Sequence, residues 1–148
     1  MPEINNNLHA VVAKLELMQE YFSRLDLILS HPEKEIVDDL TLRAAMERNF
    51  QLIVDAAIDI NTALIQEKKA QPSDDYQGTF VILASTGIIP HELAFAMAPS
   101  VGLRNALVHV YEKLDPARVV HDVKRNIGQY REYMGYIFKY VETSDKNK

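Results

Sequence analysis

The chain has 148 residues, with 16 Lys and Arg against 21 Asp and Glu, and no cysteine. That length suggests one domain able to bury a core without staples, and the absent thiols exclude a disulfide framework and a thiolate metal site. A formal net charge of −5 counts against a protein that coats nucleic acid through bulk charge, but leaves room for an enzyme holding a few phosphates in a local cationic cleft.

Glycine and proline are sparse and tryptophan is absent, which points to an all-α chain. Leu8, Val11, Val12, Leu15, Met18, Phe22, Leu25 and Leu29 recur at three- and four-residue spacing. This predicts a helix over about residues 3–30, closed by Ser30-His31-Pro32. The opening Met1-Pro2-Glu3-Ile4-Asn5-Asn6-Asn7 lacks a basic stretch followed by an apolar one, so no signal peptide is expected. No apolar run approaches a membrane span. The plain expectation is a soluble, cytoplasmic protein with no membrane partner.

A second pattern covers about 34–70, with a stripe through Leu42, Met46, Phe50, Ile53, Ala57, Ile60 and Leu64. Asp38-Asp39 marks a break after a short lead-in helix. Glu47, Arg48 and Asn49 are read as a solvent-facing salt-bridge cluster, with Glu47 and Arg48 kept as weaker site candidates. Gln71 to Asp75 is a polar linker in which Ser73 or Asp74 can cap a third helix over about 75–86. Gly87 sits where a C-cap glycine belongs. The run Phe80-Val81-Ile82-Leu83-Ala84 is read as buried helix, because no other segment offers a strand to pair with it.

Pro90 opens a fourth helix, which Pro99 is expected to kink or break. A motif helix then runs to about Lys113, and Asp115-Pro116 starts a last helix over about 116–142. Thr143 to Lys148 reads as a polar tail, so one domain spans about residues 1–142. Tyr130, Tyr133, Ile137 and Tyr140 share a face of the last helix. They are read as core or a subunit contact in preference to a base-stacking surface.

Gly102-Leu103-Arg104-Asn105-Ala106-Leu107-Val108-His109-Val110-Tyr111 is the unusual stretch. At 100° per residue, with Arg104 at zero, Tyr111 falls near −20°, Asn105 near 100° and His109 near 140°. Leu103, Ala106, Leu107, Val110 and Leu114 share the opposite arc, which is expected to pack. Arginine is a natural phosphate clamp, and histidine exchanges protons near neutral pH. An unremarkable alternative stays open on these residues alone, with His109 closing a helix end and Arg104 paired to a carboxylate.

Other chemistries lack their parts. His91-Glu92 starts like a zinc-protease motif, but Phe95 stands where its second histidine is needed. There is no Glu-x-x-His pair, no phosphate-cradling glycine loop and no nucleophile elbow. His9, His31, His91 and His121 are read as surface or helix-end residues. Neither a metal nor a cofactor is expected.

The run from Arg104 to Tyr111 resembles the R-x-x-x-x-H-x-Y signature of the HepT group of HEPN proteins. Gly102-Leu103, Asp115, the block Leu42 to Gln51 and the order of helices resemble that group too. The resemblance implies an antiparallel bundle of about five helices, HEPN-like and homodimeric, with the two motif helices face to face. It also implies a metal-independent endoribonuclease, the toxin of a toxin–antitoxin pair. The expected partner is a minimal, MntA-like nucleotidyltransferase antitoxin that adenylylates the motif tyrosine, here Tyr111. RNA, not DNA, is the expected substrate.

Helical geometry adds a point of its own. Arg104 and His109 lie about 140° apart on one helix, so a single copy makes a poor two-handed site, whereas two copies about a two-fold axis bring two imidazoles and two guanidiniums together. His109 is assigned to acid–base work and Arg104 to phosphate binding and charge stabilisation. Asn105 supports by orienting His109 or touching phosphate, and Tyr111 is the modification target. Arg118, Lys124 and Arg125 would extend a cationic patch if they converge on Arg104. Two other readings are a non-catalytic module that docks a nucleotidyltransferase and a plain helical dimerisation domain.

Overall fold

The computed structural model describes residues 6–109 and 113–146. Six helices follow one another: α1 (Asn6–Leu29), α2 (Glu33–Asp38), α3 (Leu40–Glu67), α4 (Tyr76–Ser85), α5 (His91–His109) and α6 (Pro116–Lys146). No strand occurs among the described residues. Tyr111 lies outside them.

α3 organises the bundle, because it touches each of the other five helices. α1 lies against it most extensively, burying Leu8, Val11, Leu15, Met18, Phe22 and Leu25 in the predicted rhythm. Each such side chain contributes about 1.5–3 kcal/mol on burial. α2 is the expected lead-in, and Asp39 ends it and begins the next helix. The Asp39 carboxylate accepts hydrogen bonds from the backbone N–H groups of Thr41 at 2.9 Å and Leu42 at 3.2 Å, satisfying donors that a helix start leaves orphaned.

Contact with so many helices covers more of α3 than a single apolar stripe would. Glu47 and Asn49 are consequently buried, which corrects the reading of Glu47, Arg48 and Asn49 as a solvent-facing cluster. Only Arg48 stands exposed, and its Nη1 donates to Gln51 Oε1 at 3.3 Å. The Asn49 amide donates back to the Ala45 carbonyl at 2.8 Å, a local bond that lets a buried amide sit within a helix.

α4 is capped by Asp75, whose Oδ1 accepts from Gly78 N–H at 2.6 Å, not by Ser73 or Asp74. Ser73 shapes the loop instead, accepting from the Asp75 N–H at 3.2 Å. Gly87 turns the chain at φ 86°, a conformation that glycine adopts without a Cβ penalty. The apolar run in α4 is helical as read, with Phe80, Leu83 and Ala84 buried.

Pro99 does not break the chain, and α5 runs unbroken from His91 to His109. Proline removes one N–H, and so the bond to the carbonyl four residues back, that of Phe95. Phe95 is 64% exposed, so water can satisfy that carbonyl. Asp115 Oδ1 accepts from Ala117 N–H at 3.2 Å at the start of α6. That helix passes the expected end near 142 and reaches Lys146, with Thr143 Oγ1 donating to the Lys139 carbonyl at 2.9 Å.

Tyr130 and Tyr133 are fully buried. They meet Phe50 and Phe80 edge-on, with ring centroids 5.9–6.4 Å apart, the arrangement aromatic quadrupoles favour. Ser100 Oγ donates to the Met97 carbonyl; its single proton is thereby used, so the Tyr130 hydroxyl, 2.6 Å away, donates to Ser100. The Tyr133 hydroxyl donates to Asn61 Oδ1 at 2.5 Å, and the Asn61 amide donates to Thr79 Oγ1 at 3.1 Å. These bonds tie α6 to α5, and α6 through α3 to α4. The aromatic face of α6 is thus core at Tyr130, Tyr133 and Ile137, while Tyr140 stays half-buried.

Candidate functional site

Because α5 is continuous, its orientation is set by the turns before the motif. Leu93, Ala94, Met97, Ser100, Val101 and Leu107 are its buried residues, and on the wheel they fall within about 80° of Arg104. Arg104 therefore points into the bundle. This corrects the expected packing arc: of its members, Leu107 is buried, but Leu103 and Ala106 are only half-buried. Asn105 lies at the margin, and His109 is exposed at the last helical residue.

Arg104 Nε donates to Asp55 Oδ1 of α3 at 2.7 Å, and its Nη1 donates to Asn105 Oδ1 at 3.1 Å. The two side chains of the ion pair are 18% and 33% exposed. A charge-assisted bond in such a half-dry setting is stronger than a surface pair and fixes the plane of the guanidinium. The Nη2 amine and one Nη1 proton have no hydrogen-bond partner among the described residues, so they can meet an anion. Arg104 and His109 are separated by about 7.5 Å along the axis and about 140° around it.

The structure thus brings Arg104, Asn105 and Asp55 together and leaves His109, the last described residue of α5, exposed. Asp55 was missed because it bonds across 49 positions of sequence, and a lone aspartate in mid-helix looks solvated. Of the weaker candidates, Glu47 is buried and Arg48 is bonded to Gln51, about two turns before Asp55 on α3. Arg118, Lys124 and Arg125 are exposed on α6. Lys124 is turned about 120° from Arg118, whose Nε lies 3.8 Å from Asp122 Oδ2. Arg125, seven residues on, returns to within about 20° of Arg118, so those two share a face of α6 from which Lys124 is turned away. Among the described residues no three His, Asp or Glu side chains converge as a metal-ion site would require.

From Leu93 to Leu103, α5 carries no charged residue, and Phe95, Pro99 and Gly102 are exposed there. An outward helix face of that kind leads directly to the motif residues.

A tri-AMPylated HEPN toxin from Shewanella oneidensis, solved in complex with its MNT antitoxin, shares the fold with a TM-score of 0.81, at 23% identity over 88% of this chain and 97% of that one. YutE from Bacillus subtilis, a cytosolic protein of unknown function, also shares it, with a TM-score of 0.76 at 17% identity over 89% and 91%. The sequence is 32% identical over 142 residues to a tRNA nuclease HepT from Aphanizomenon flos-aquae, covering 95% of this chain and 97% of the relative. It is 24% identical to an mRNA nuclease HepT from Shewanella oneidensis, over 86% and 95%. The family model Ribonuclease HepT-like matches residues 18–137, and the chain belongs to that family.

Proposed function

We propose that this ribonuclease is a toxin that cleaves RNA internally, without a metal, at a site shared by two copies of the chain, and that a nucleotidyltransferase antitoxin silences it by adenylylating Tyr111. The observation that carries this reading is the guanidinium of Arg104, held half-buried by Asp55 with donors to spare, on the same helix as an exposed His109.

In the proposed reaction the ribose 2′-oxygen attacks the adjacent phosphorus. One imidazole takes the hydroxyl proton, and the departing 5′-oxygen is protonated by the other. The P–O5′ bond breaks as the P–O2′ bond forms, leaving a 2′,3′-cyclic phosphate and a 5′-hydroxyl. Arg104 binds the phosphate and steadies the charge that grows on its oxygens. Asn105, bonded to Arg104, helps to hold it in place.

The pairing of two chains is supported by the uncharged outward face of α5 around Phe95 and Gly102, which ends at the motif residues. The antitoxin is supported by the relative of the same fold that is AMPylated and bound to an MNT antitoxin. An adenylyl group on Tyr111 adds bulk and negative charge where phosphate must dock. A cytoplasmic setting fits this role, and among the described residues no helix is long and apolar enough to cross a membrane.

The test compares Arg104→Ala and His109→Ala with wild type in RNA cleavage and in growth inhibition. Each substitution is expected to abolish both while light scattering still reports a dimer. Full activity of either variant, or a monomeric wild type that cleaves normally, contradicts the reading.

A further inference from the structure

At the far end of α5 from His109, a cleft of about 670 Å³ opens between the α4–α5 turn and the last turns of α6. His91 is the first residue of α5 and His109 the last, which places the cleft roughly 27 Å from the histidine of the motif. Its floor is apolar, with Ile88 and Ile89 buried. Its walls carry His91 from α5 and Tyr136, Lys139 and Tyr140 from α6.

The charge of this lining is unusual for an acidic chain. No carboxylate lines the cleft, although acidic residues outnumber basic ones by 21 to 16. Two other surface depressions do carry them: one has Glu35, Asp38 and Asp39, the other Asp26. Tyr140 is also held in place. Its hydroxyl donates to Glu67 Oε2 at 2.8 Å, and the Lys68 ammonium stands 5.0 Å from its ring centre. Glu67 is thus engaged with the phenol and is not among the residues that line the cleft.

The aromatic face read from the sequence is therefore divided. Tyr130 and Tyr133 are buried in the core, whereas Tyr140, with its neighbour Tyr136, reaches an open cleft beside a lysine and a histidine. Aromatic rings stack on nucleobases of any sequence, and a nearby cation meets the phosphate.

We propose that this cleft binds a nucleotide unit, its base against Tyr136 or Tyr140 and its phosphate on Lys139 and His91. The inference rests on the chain being a ribonuclease, not on the roles given to Arg104 and His109. The nucleotide favoured is one belonging to the RNA substrate itself. At a stacked spacing of about 3.4 Å per nucleotide, 27 Å corresponds to roughly eight nucleotides between the cleft and the helix end that carries His109. The cleft then selects RNA long enough to span both places.

The test is steady-state cleavage of a tetranucleotide and of a 30-nucleotide RNA by the full chain, comparing wild type with Lys139→Glu and Tyr136→Ala. Both residues are at least partly exposed, and circular dichroism checks that the fold is retained. For the long RNA the variants are expected to raise KM about tenfold, with kcat unchanged and cleavage of the tetranucleotide unaltered. Lys139→Ala is further expected to lower the slope of log KM against log salt by about 0.7, the signature of one lost phosphate contact to a single strand. AMP added to wild type separates the sources. Binding of AMP that Lys139→Glu abolishes, with the KM of the long RNA unchanged, assigns the cleft to a free nucleotide and keeps the proposal. Equal KM values for wild type and variants with no AMP binding overturn it, as does weakened binding of the antitoxin protein as the only effect. Loss of cleavage by His109→Ala bears on the catalytic reading alone.

Discussion

Asp55 of α3 accepts a 2.7 Å hydrogen bond from Nε of Arg104 on α5, so the helix that every other helix touches also sets the angle of the motif guanidinium. In the proposed site Asp55 would accordingly act as a positioning residue. Asp55→Ala is expected to lower kcat about 100-fold, the scale on which a displaced catalytic group costs rate. Asp55→Asn, which keeps an acceptor at the same place, is expected to recover part of that loss. The effect on stability is small, of order 1 kcal/mol, because the pair is partly hydrated. Single-turnover cleavage beside urea denaturation separates the two effects, and a variant that loses stability but keeps kcat contradicts the assignment.

The buried tyrosines make the fold sensitive to alkali. Burial raises the Tyr130 phenol well above its ordinary value, and the Asp55 carboxylate adds to this. Burial also raises Tyr133, helped by its neighbour Tyr130. Above the ordinary tyrosine pKa of 10.0, the unfolded chain gives up these protons and the folded chain keeps them. The folded state then binds more protons, so rising pH favours unfolding. The contribution of both tyrosines is complete below pH 10 and declines above it. Thermal melts between about pH 8 and pH 11.5 are expected to show Tm falling above about 10, less steeply in Tyr130→Phe.

Asn61→Leu probes the polar bonds of the core. It leaves the Tyr133 hydroxyl with only the Ala57 carbonyl at 3.1 Å and removes the bond to Thr79. Because both remaining hydroxyls keep another acceptor, the cost is expected at about 0.5–1.5 kcal/mol for each lost bond, the net scale for a hydrogen bond. Urea denaturation measures it.

Pro99→Ala is expected to stabilise the chain. The helix already runs through this position, so alanine restores a bond to the Phe95 carbonyl and gains up to about 3 kcal/mol of helix propensity. The added freedom of the unfolded chain offsets about 0.4–1 kcal/mol of that. A net gain of about 2 kcal/mol in urea denaturation is the expected outcome.

The spans of α1, α3 and α4 and the start of α6 were legible because apolar spacing, capping residues and Gly87 act locally. What escaped depended on tertiary contact. Glu47 and Asn49 are buried because five helices crowd α3, which no window of α3 alone can reveal. The phase of α5 was misjudged because Pro99 was expected to cut the helix. With the helix continuous, Leu93 to Val101 decide which way Arg104 points. The motif residues stood out by type, yet the partner of Arg104 came from a helix 49 positions earlier. Part of the plainer reading that the motif left open holds in the structure: Arg104 is paired to a carboxylate, which does not remove the donors an RNA phosphate would meet.

Tyr111→Phe isolates the proposed silencing. It is expected to cleave RNA at the wild-type rate and to gain no adenylyl mass when incubated with the nucleotidyltransferase and ATP, while wild type gains it. Intact-mass spectrometry reads both, and adenylylation of the variant at another residue contradicts the assignment.

The most direct measurement of the central claim is cleavage of total RNA by purified wild type and His109→Ala in the presence of EDTA, with analysis of the new RNA ends. The account predicts wild-type products bearing 2′,3′-cyclic phosphate and 5′-hydroxyl ends, and none from His109→Ala. Undiminished cleavage by His109→Ala, or wild-type cleavage that stops in EDTA, would contradict it.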